Sequence, residues 1–325
     1  MKPGTGSRVR YLRDRDDALR LRAALDAPAD LLLHGRQLMS PPGRLPDSVR
    51  PNRRMRQMTA FRGRLGRVPD FSSENLTGSR FEDVYLTGAR FRDVDLSNAR
   101  FHLVDLTGVM IRGAALVDVD MSGEIKNLRV NGVDVVPLVE AELNRRYPDR
   151  VKMRPADADG FREAWDILER RWQRTAERAR GMAPELLHER VDGEWSFIET
   201  LRHLVFATDA WVKRAILGEP SPWDPLDLPH DEMPDEAGVP RDRGARPSLD
   251  EVLALRTDRM ATVRHVIAGL TDEKLAGLTE PVMEPGYPEP ESFAVRRSLQ
   301  AILNEEWEHR LYAERDFDVL KSRPS

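Results

Sequence analysis

Two distant segments of the chain carry histidine and glutamate side chains at spacings that suit a shared metal ion. His203 lies in "EWSFIETLRHLVFATDAW", on the apolar stripe that a helix there would turn inward. Glu305 and His309 lie four residues apart in "NEEWEHRLYAERD", so one helix face would present both side chains about 5–6 Å apart. Buried glutamate is rarely tolerated unless it is paired or bound to a metal. The three residues therefore predict a metal site, although the residues alone also allow a hydrogen-bonded core His203 and a surface Glu305–His309 pair.

The absence of cysteine restricts the chemistry of such a site. Without thiolates, the chain has no disulfide framework, thiolate zinc finger, iron–sulfur site or cysteine nucleophile, and a metal must take nitrogen and oxygen ligands. Two imidazoles and one carboxylate with an open position describe a catalytic zinc site. The same set describes the facial triad of non-haem iron, and nickel stays open. The sequence shows no P-loop, G-x-G-x-x-G or G-x-S-x-G motif, and no general acid or base can be named from it.

Four helices of about 20 residues are predicted to position these side chains. Apolar spacing and two capping boxes, Ser196-x-x-Glu199 and Ser248-x-x-Glu251, mark the second and third of them. The predicted ranges are 159–180, 196–217, 248–270 and 295–320. Long loops, Gly218–Pro247 and "TEPVMEPGYPEPESF", connect the second to the third and the third to the fourth. This pattern predicts a four-helix bundle whose site lies in the core, with loops that are long enough to be functional.

The segments "EWSFIETLRHL" and "NEEWEHRLYAERD" resemble the DinB-like superfamily, and the resemblance covers about residues 157–320. It implies that one histidine of the second helix and two ligands of the fourth bind a divalent metal. The commonest pattern on the fourth helix is His-x-x-x-His, and this chain has Glu305 at the first of those positions. The mycothiol-dependent maleylpyruvate isomerase branch uses His, Glu and His in this order. The resemblance thus implies zinc at His203, Glu305 and His309.

The same resemblance suggests how the metal would be used. A low-molecular-weight thiol such as mycothiol would occupy the open position, and its thiolate would attack a small-molecule electrophile. Only six of the 51 basic residues are lysine, as GC-rich codon usage produces, and mycothiol belongs to high-GC actinobacteria. The predicted function is thiol transfer to, or thiol-assisted isomerisation of, a small electrophile. Two alternatives are a non-catalytic stress or interaction protein with a structural metal, and a metal-dependent hydrolase or oxygenase.

A second pattern precedes the helices. Large apolar residues recur at every fifth position without a break, namely Phe71, Leu76, Phe81, Leu86, Phe91, Leu96, Phe101, Leu106, Ile111, Leu116 and Met121. Neither a helix nor a strand has a period of five. A fixed short period predicts a solenoid, in which each unit buries its apolar side chain only by stacking on the next coil.

Units such as "ARFRD VDLSN ARFHL VDLTG" resemble the pentapeptide-repeat family, which implies a right-handed, four-sided β-helix. Eleven units make just under three coils, a stack about 13 Å tall at ~4.8 Å per coil. Such a rod is too short to mimic duplex DNA, and the net charge of −4 gives no basic footprint for nucleic acid. The expected role is packing or interaction, through a homodimer or a protein partner.

The resulting fold class is a multidomain β plus all-α protein. The predicted parts are a poorly folded extension (residues 1–60), a pentapeptide-repeat β-solenoid (61–130), a linker with a short helix (131–156) and the DinB-like bundle (157–325). No apolar run approaches the ~18 residues of a membrane span, so we expect a cytoplasmic protein. His230, Asp231 and Glu232 form a loop cluster that is either at the mouth of the site or solvated.

Overall fold

The computed structural model describes residues 70–82, 84–123, 125–231 and 233–323. The predicted extension, residues 1–60, lies outside the described residues. The described chain falls into two units, one that ends at Met121 and one that begins at Ser122. Within the described residues, no helix is long and apolar enough to cross a membrane.

The repeat unit has a turn at a fixed interval. Four turns ten residues apart are closed by a backbone hydrogen bond of 2.9–3.1 Å, Ser79 to Leu76, Ala89 to Leu86, Ala99 to Leu96 and Val109 to Leu106. Their third residues have φ between 62° and 79°, and they are Gly78, Gly88, Asn98 and Gly108. Glycine and asparagine tolerate this left-handed backbone, as type II turns require. Side chains of Asn75, Asp95 and Asp105 accept from the backbone two residues ahead.

The predicted β-helix is not shown by the described residues of this unit. They contain no strand between residues 70 and 123, and the apolar side chains of the repeat are exposed, with Phe71 at 64% and Leu76 at 44%. The turns depend on groups within four residues of each other, whereas an inward Phe/Leu row requires contacts between successive coils. The period of five is confirmed in the backbone by positive φ values at residues 73, 78, 88, 93, 98, 103, 108, 113, 118 and 123. The closed coil is not shown by the described residues.

The second unit begins with a hairpin and a short helix. Strands β1 (Arg129–Val130) and β2 (Val133–Asp134) pair antiparallel, with Arg129 opposite Asp134. The turn residues Asn131 and Gly132 both have positive φ, the usual Asn-Gly hairpin turn. Helix α1 (Val136–Arg146) and a 3-10 helix (Pro148–Met153) follow. The short helix was predicted here and the hairpin was not.

Four long helices form the bundle. They are α2 (Ala158–Arg180), α3 (Phe197–Thr208), α4 (Leu249–Ala268) and α6 (Val295–Ser322), with a short α5 (Asp272–Ala276) before the last. Both α2 and α3 pack against α4 and α6, so each long helix has two neighbours. Both predicted capping boxes are present, at the starts of α3 and α4. The four predicted helices are confirmed, with one difference: α3 continues as a π-helical segment, Asp209–Arg214.

Candidate metal centre

The three predicted ligands meet between α3 and α6. Each offers a ligand atom, and these atoms lie within 4.8 Å of one another. The Glu305 Oε2 oxygen is 3.4 Å from Nε2 of His203 and 3.0 Å from Nε2 of His309. The His203 side chain is 5% exposed, whereas those of His309 and Glu305 are 19% and 22% exposed. The site therefore lies at the edge of the core, with one side accessible.

The hydrogen bond of His203 determines which of its nitrogens faces the site. Its Nδ1 is 3.0 Å from the carbonyl oxygen of Leu228, which can only accept, so we assign the proton to Nδ1. The lone pair of the neutral ring then lies on Nε2, which faces the Glu305 carboxylate. Two acceptors cannot bond to each other without a cation or a proton between them. A metal-binding histidine is usually oriented by such a bond from its other nitrogen, so the residues fit a metal ion.

Leu228 belongs to the first long loop (residues 215–248), which a buried arginine attaches to α3. Arg202 is fully buried, and its guanidinium donates to the carbonyls of Leu226 at 2.8 Å, Asp242 at 2.5 Å and Ala245 at 3.4 Å. Neighbouring residues of α3, Arg202 and His203, thus both bind the backbone of this loop. The sequence could not predict this contact, because every residue has a backbone carbonyl and no residue type marks the one that binds.

Two adjacent glutamates of α6 have different surroundings. Burial raises the pKa of Glu305, but when the rings of His203 and His309 carry a proton that faces the carboxylate, they outweigh burial and hold that pKa below its ordinary value. Glu306 is 1% exposed, and both of its carboxylate oxygens accept from Arg256 of α4 at 2.6–2.8 Å. The Glu306 carboxylate is therefore paired with Arg256 inside the bundle. The Glu305 carboxylate is the one that faces the two histidines of the site.

Comparison with known proteins adds the family. Residues 167–313 match the model of the DinB superfamily, a stretch that contains all three candidate ligands. The chain carries a DinB superfamily domain. Eight pentapeptide-repeat copies match over residues 70–102 and 85–123, so both predicted resemblances are confirmed. No curated protein and no solved structure matched the chain.

Aromatic rings border the DinB site. Trp195, which precedes α3, stacks on His309 with ring centroids 5.9 Å apart and lies 4.5 Å from the ring of His203. Phe206, whose ring lies 6.1 Å from that of His203, stacks on Trp223 at 5.7 Å and on Tyr287 at 5.9 Å. Trp223 and Tyr287 belong to the two long loops, and no spacing rule marked them.

The second long loop (residues 277–294) is also attached by a buried arginine. Arg214, 1% exposed, donates to the carbonyls of Val282, Glu284 and Pro288, and to Pro220 at the start of the first loop. Gly286 has φ +147°, and a Cβ there would lie 3.1 Å from the Arg214 guanidinium. The close approach of Arg214 to this backbone thus requires a glycine.

The predicted loop cluster is divided by the structure. The His230 ring lies 6.5 Å from that of Tyr287, and burial lowers the pKa of His230 to about 4. Asp231 instead pairs with Arg243 of the same loop, and Glu232 lies outside the described residues. His230 is therefore a neutral group near the site, and the structure brings neither His188 nor His265 to the three ligands.

Proposed function

We propose that His203, Glu305 and His309 of the DinB domain bind one divalent metal ion, with zinc as first choice. The observation that carries the proposal is the bond from His203 to Leu228, which leaves Nε2 of His203 opposite a carboxylate oxygen. Nickel and iron suit the same ligand set. The partly exposed side of His309 and Glu305 would leave a coordination position open.

The activity that this site supports best is thiol chemistry. When bound, the metal would lower the pKa of a thiol such as mycothiol and so supply a thiolate at neutral pH. The chain's own part is to hold His203 through Leu228 and to border the site with Trp195. The thiolate would then attack a small electrophile, in transfer or in isomerisation, with no cysteine needed in the chain.

For the repeat unit, we propose the packing that the period requires, a four-sided β-helix with the Phe/Leu row inside. The regular turns at residues 76–79, 86–89, 96–99 and 106–109 support it. In that form the module would serve to bind a partner or a second copy of the chain.

Metal analysis with matched variants tests the site. Wild-type protein should bind one zinc per chain, and Glu305→Gln and His309→Asn should weaken zinc affinity by more than about 100-fold, beyond the loss typical of an outer partner. Glu308→Gln, on the same helix, and His265→Asn, at an exposed position, are the controls and should bind as wild type does. Full metal stoichiometry in His203→Ala, Glu305→Ala and His309→Ala would disprove the site.

The thiol step has its own test. Zinc-loaded protein with mycothiol and bromobimane as a generic electrophile should conjugate the thiol faster than Glu305→Gln protein does. If metal is bound and no rate exceeds background, the interaction role replaces the enzymatic one. Iron rather than zinc in anaerobically purified protein favours an oxygenase.

A further inference from the structure

Asp227 is a completely buried carboxyl group that the candidate site does not use. Its exposure is 0%, and it lies in the first long loop. One oxygen, Oδ2, accepts the backbone N–H of Asp224 at 3.2 Å, while the buried Oδ1 has no hydrogen-bond partner among the described residues. Burying a charged carboxylate in this way costs much free energy, whereas a neutral carboxyl group costs far less.

A second buried carboxylate takes up the available positive charge. Both oxygens of Asp209, in the π-helical segment, accept from Arg259 of α4 at 2.7 and 2.9 Å. Lys213 lies 3.8 Å from the same Asp209 side chain. Because Arg259 bonds to both oxygens of Asp209, that residue is the ionised member. Asp227 makes no ion pair among the described residues, although the charges of Arg259 and of the buried Arg202 act on it at longer range.

The electrostatic surroundings of Asp227 agree with this assignment. Burial raises its pKa well above the ordinary value, and the neighbouring charge of Asp209 raises it further. The hydrogen bond from the Asp224 backbone and the charge of Arg259 oppose the rise, and the Asp224 carboxylate adds to it. Burial and the charge of Asp209 outweigh the opposing groups and favour a protonated Asp227 side chain.

The position of Asp227 in the chain connects it to the metal centre. The next residue is Leu228, whose carbonyl accepts from Nδ1 of His203. The turn that holds this peptide is closed by the backbone bond from Asp227 to Asp224 and by the side-chain bond in return. Whatever moves Asp227 moves the group that orients His203.

We propose that Asp227 is a positioning residue for the metal centre, which acts as a neutral carboxyl group to hold the Leu228 carbonyl against His203. This inference rests on the proposed function, since it assigns His203 to a metal. Ionisation of Asp227 would place a second negative charge beside Asp209, so the loop conformation should weaken as pH rises.

The direction of the pH effect follows from proton linkage. The folded-state pKa of Asp227 lies above the unfolded value of about 3.9, so the folded protein holds one more proton between these two pKa values. In that range the unfolding equilibrium constant should rise about tenfold per pH unit through this group alone. Asparagine cannot ionise, so Asp227→Asn should remove this contribution while it keeps the shape of a neutral carboxyl group.

The experiment compares Asp227→Asn, Asp227→Ala and the control Asp235→Asn, an exposed position of the same loop. Zinc affinity and denaturant unfolding are measured from about pH 4 to 8.5, a range that begins at the unfolded-state pKa, and ¹⁵N NMR of the metal-free protein reports the His203 tautomer. We expect Asp227→Asn to bind zinc within about threefold of wild type and to keep the Nδ1–H tautomer of His203. The pH dependence that Asp227 contributes to the unfolding free energy should be lost in this variant. Asp227→Ala should bind zinc about 10–100-fold more weakly and lose that tautomer.

Two results would overturn the inference: Asp227→Asn as impaired as Asp227→Ala, or an unchanged pH contribution to unfolding in Asp227→Asn. If wild-type protein binds no zinc, the proposed function fails, and the tautomer and unfolding measurements on metal-free protein still decide the role of Asp227. If Asp227→Ala does not fold, the comparison of wild type with Asp227→Asn decides in the same way.

Discussion

Each of the two long loops of the DinB domain is held by a buried arginine, but the loops differ in their contacts with the candidate metal site. Arg202 binds three carbonyls of the first loop, and Arg214 binds three carbonyls of the second loop and one at the start of the first. Burial lowers the pKa of both guanidinium groups. The first loop supplies the Leu228 carbonyl, which bonds to the candidate metal ligand His203.

This difference shows that a buried arginine can stabilise the fold with or without an effect on the metal site. Each guanidinium satisfies carbonyls that would otherwise lose hydrogen bonds, which stabilises the fold. In the first loop the same attachment also determines the orientation of His203. Loss of either arginine should therefore lower the free energy of unfolding, but only loss of Arg202 should change metal affinity.

The largest effect is expected for Arg202→Met. Three backbone carbonyls of the first loop lose the buried guanidinium as a donor, so the free energy of unfolding should fall by about 3–5 kcal/mol. Zinc affinity should fall at least about tenfold, because the Leu228 carbonyl is no longer held. Denaturant unfolding and zinc titration measure the two quantities. Wild-type zinc affinity in a folded Arg202→Met protein would contradict the role given to the first loop.

Arg214→Met should lower the free energy of unfolding without a matching loss of zinc affinity. The second loop loses its attachment, so the free energy of unfolding should fall by about 2–4 kcal/mol. Zinc affinity should stay within about threefold of wild type, since no described bond joins the second loop to His203. The same two measurements apply, with Arg202→Met as the matched comparison. A loss of zinc affinity equal to that of Arg202→Met would mean that the two loops act as one unit.

The smallest effect is expected for the contribution of His230 to stability at acidic pH. The folded-state pKa of His230 is lowered to about 4, so its contribution to stability is present above the unfolded value of about 6.5 and is lost as pH falls toward 4. The difference in unfolding free energy between wild type and His230→Gln should change by at most about 3 kcal/mol over that range. The second loop has no histidine. His265→Gln is the control, and an equal change in that variant would contradict the assignment.

Local chemistry explains which elements could be predicted. The capping boxes at Ser196 and Ser248 act within three residues, and both helices begin where they predict. The hairpin has an equally local signal, the Asn131-Gly132 turn, so its two short strands were also predictable from sequence. The π-helical segment had no such signal, because the loops and α4 that pack around Asp209 are distant in sequence.

The repeats show the limit of periodicity. Gly78 and Asn98 lie at turns that their residue types favour, so the interval could be predicted. The predicted burial of Phe71 and its equivalents is not shown by the described residues, in which these side chains are exposed. Such burial depends on contacts between coils rather than on any one unit.

The sequence by itself determined the identity of the three candidate ligands and the helix faces that carry them. The i, i+4 spacing of Glu305 and His309 and the inward stripe of His203 are properties of single helices. Only the tertiary structure decided that Nε2 of His203 faces Glu305, and that the buried Asp227 precedes the carbonyl that orients it. A ring tautomer and the protonation of a buried carboxyl group depend on atoms brought close by folding, which no spacing along one helix contains.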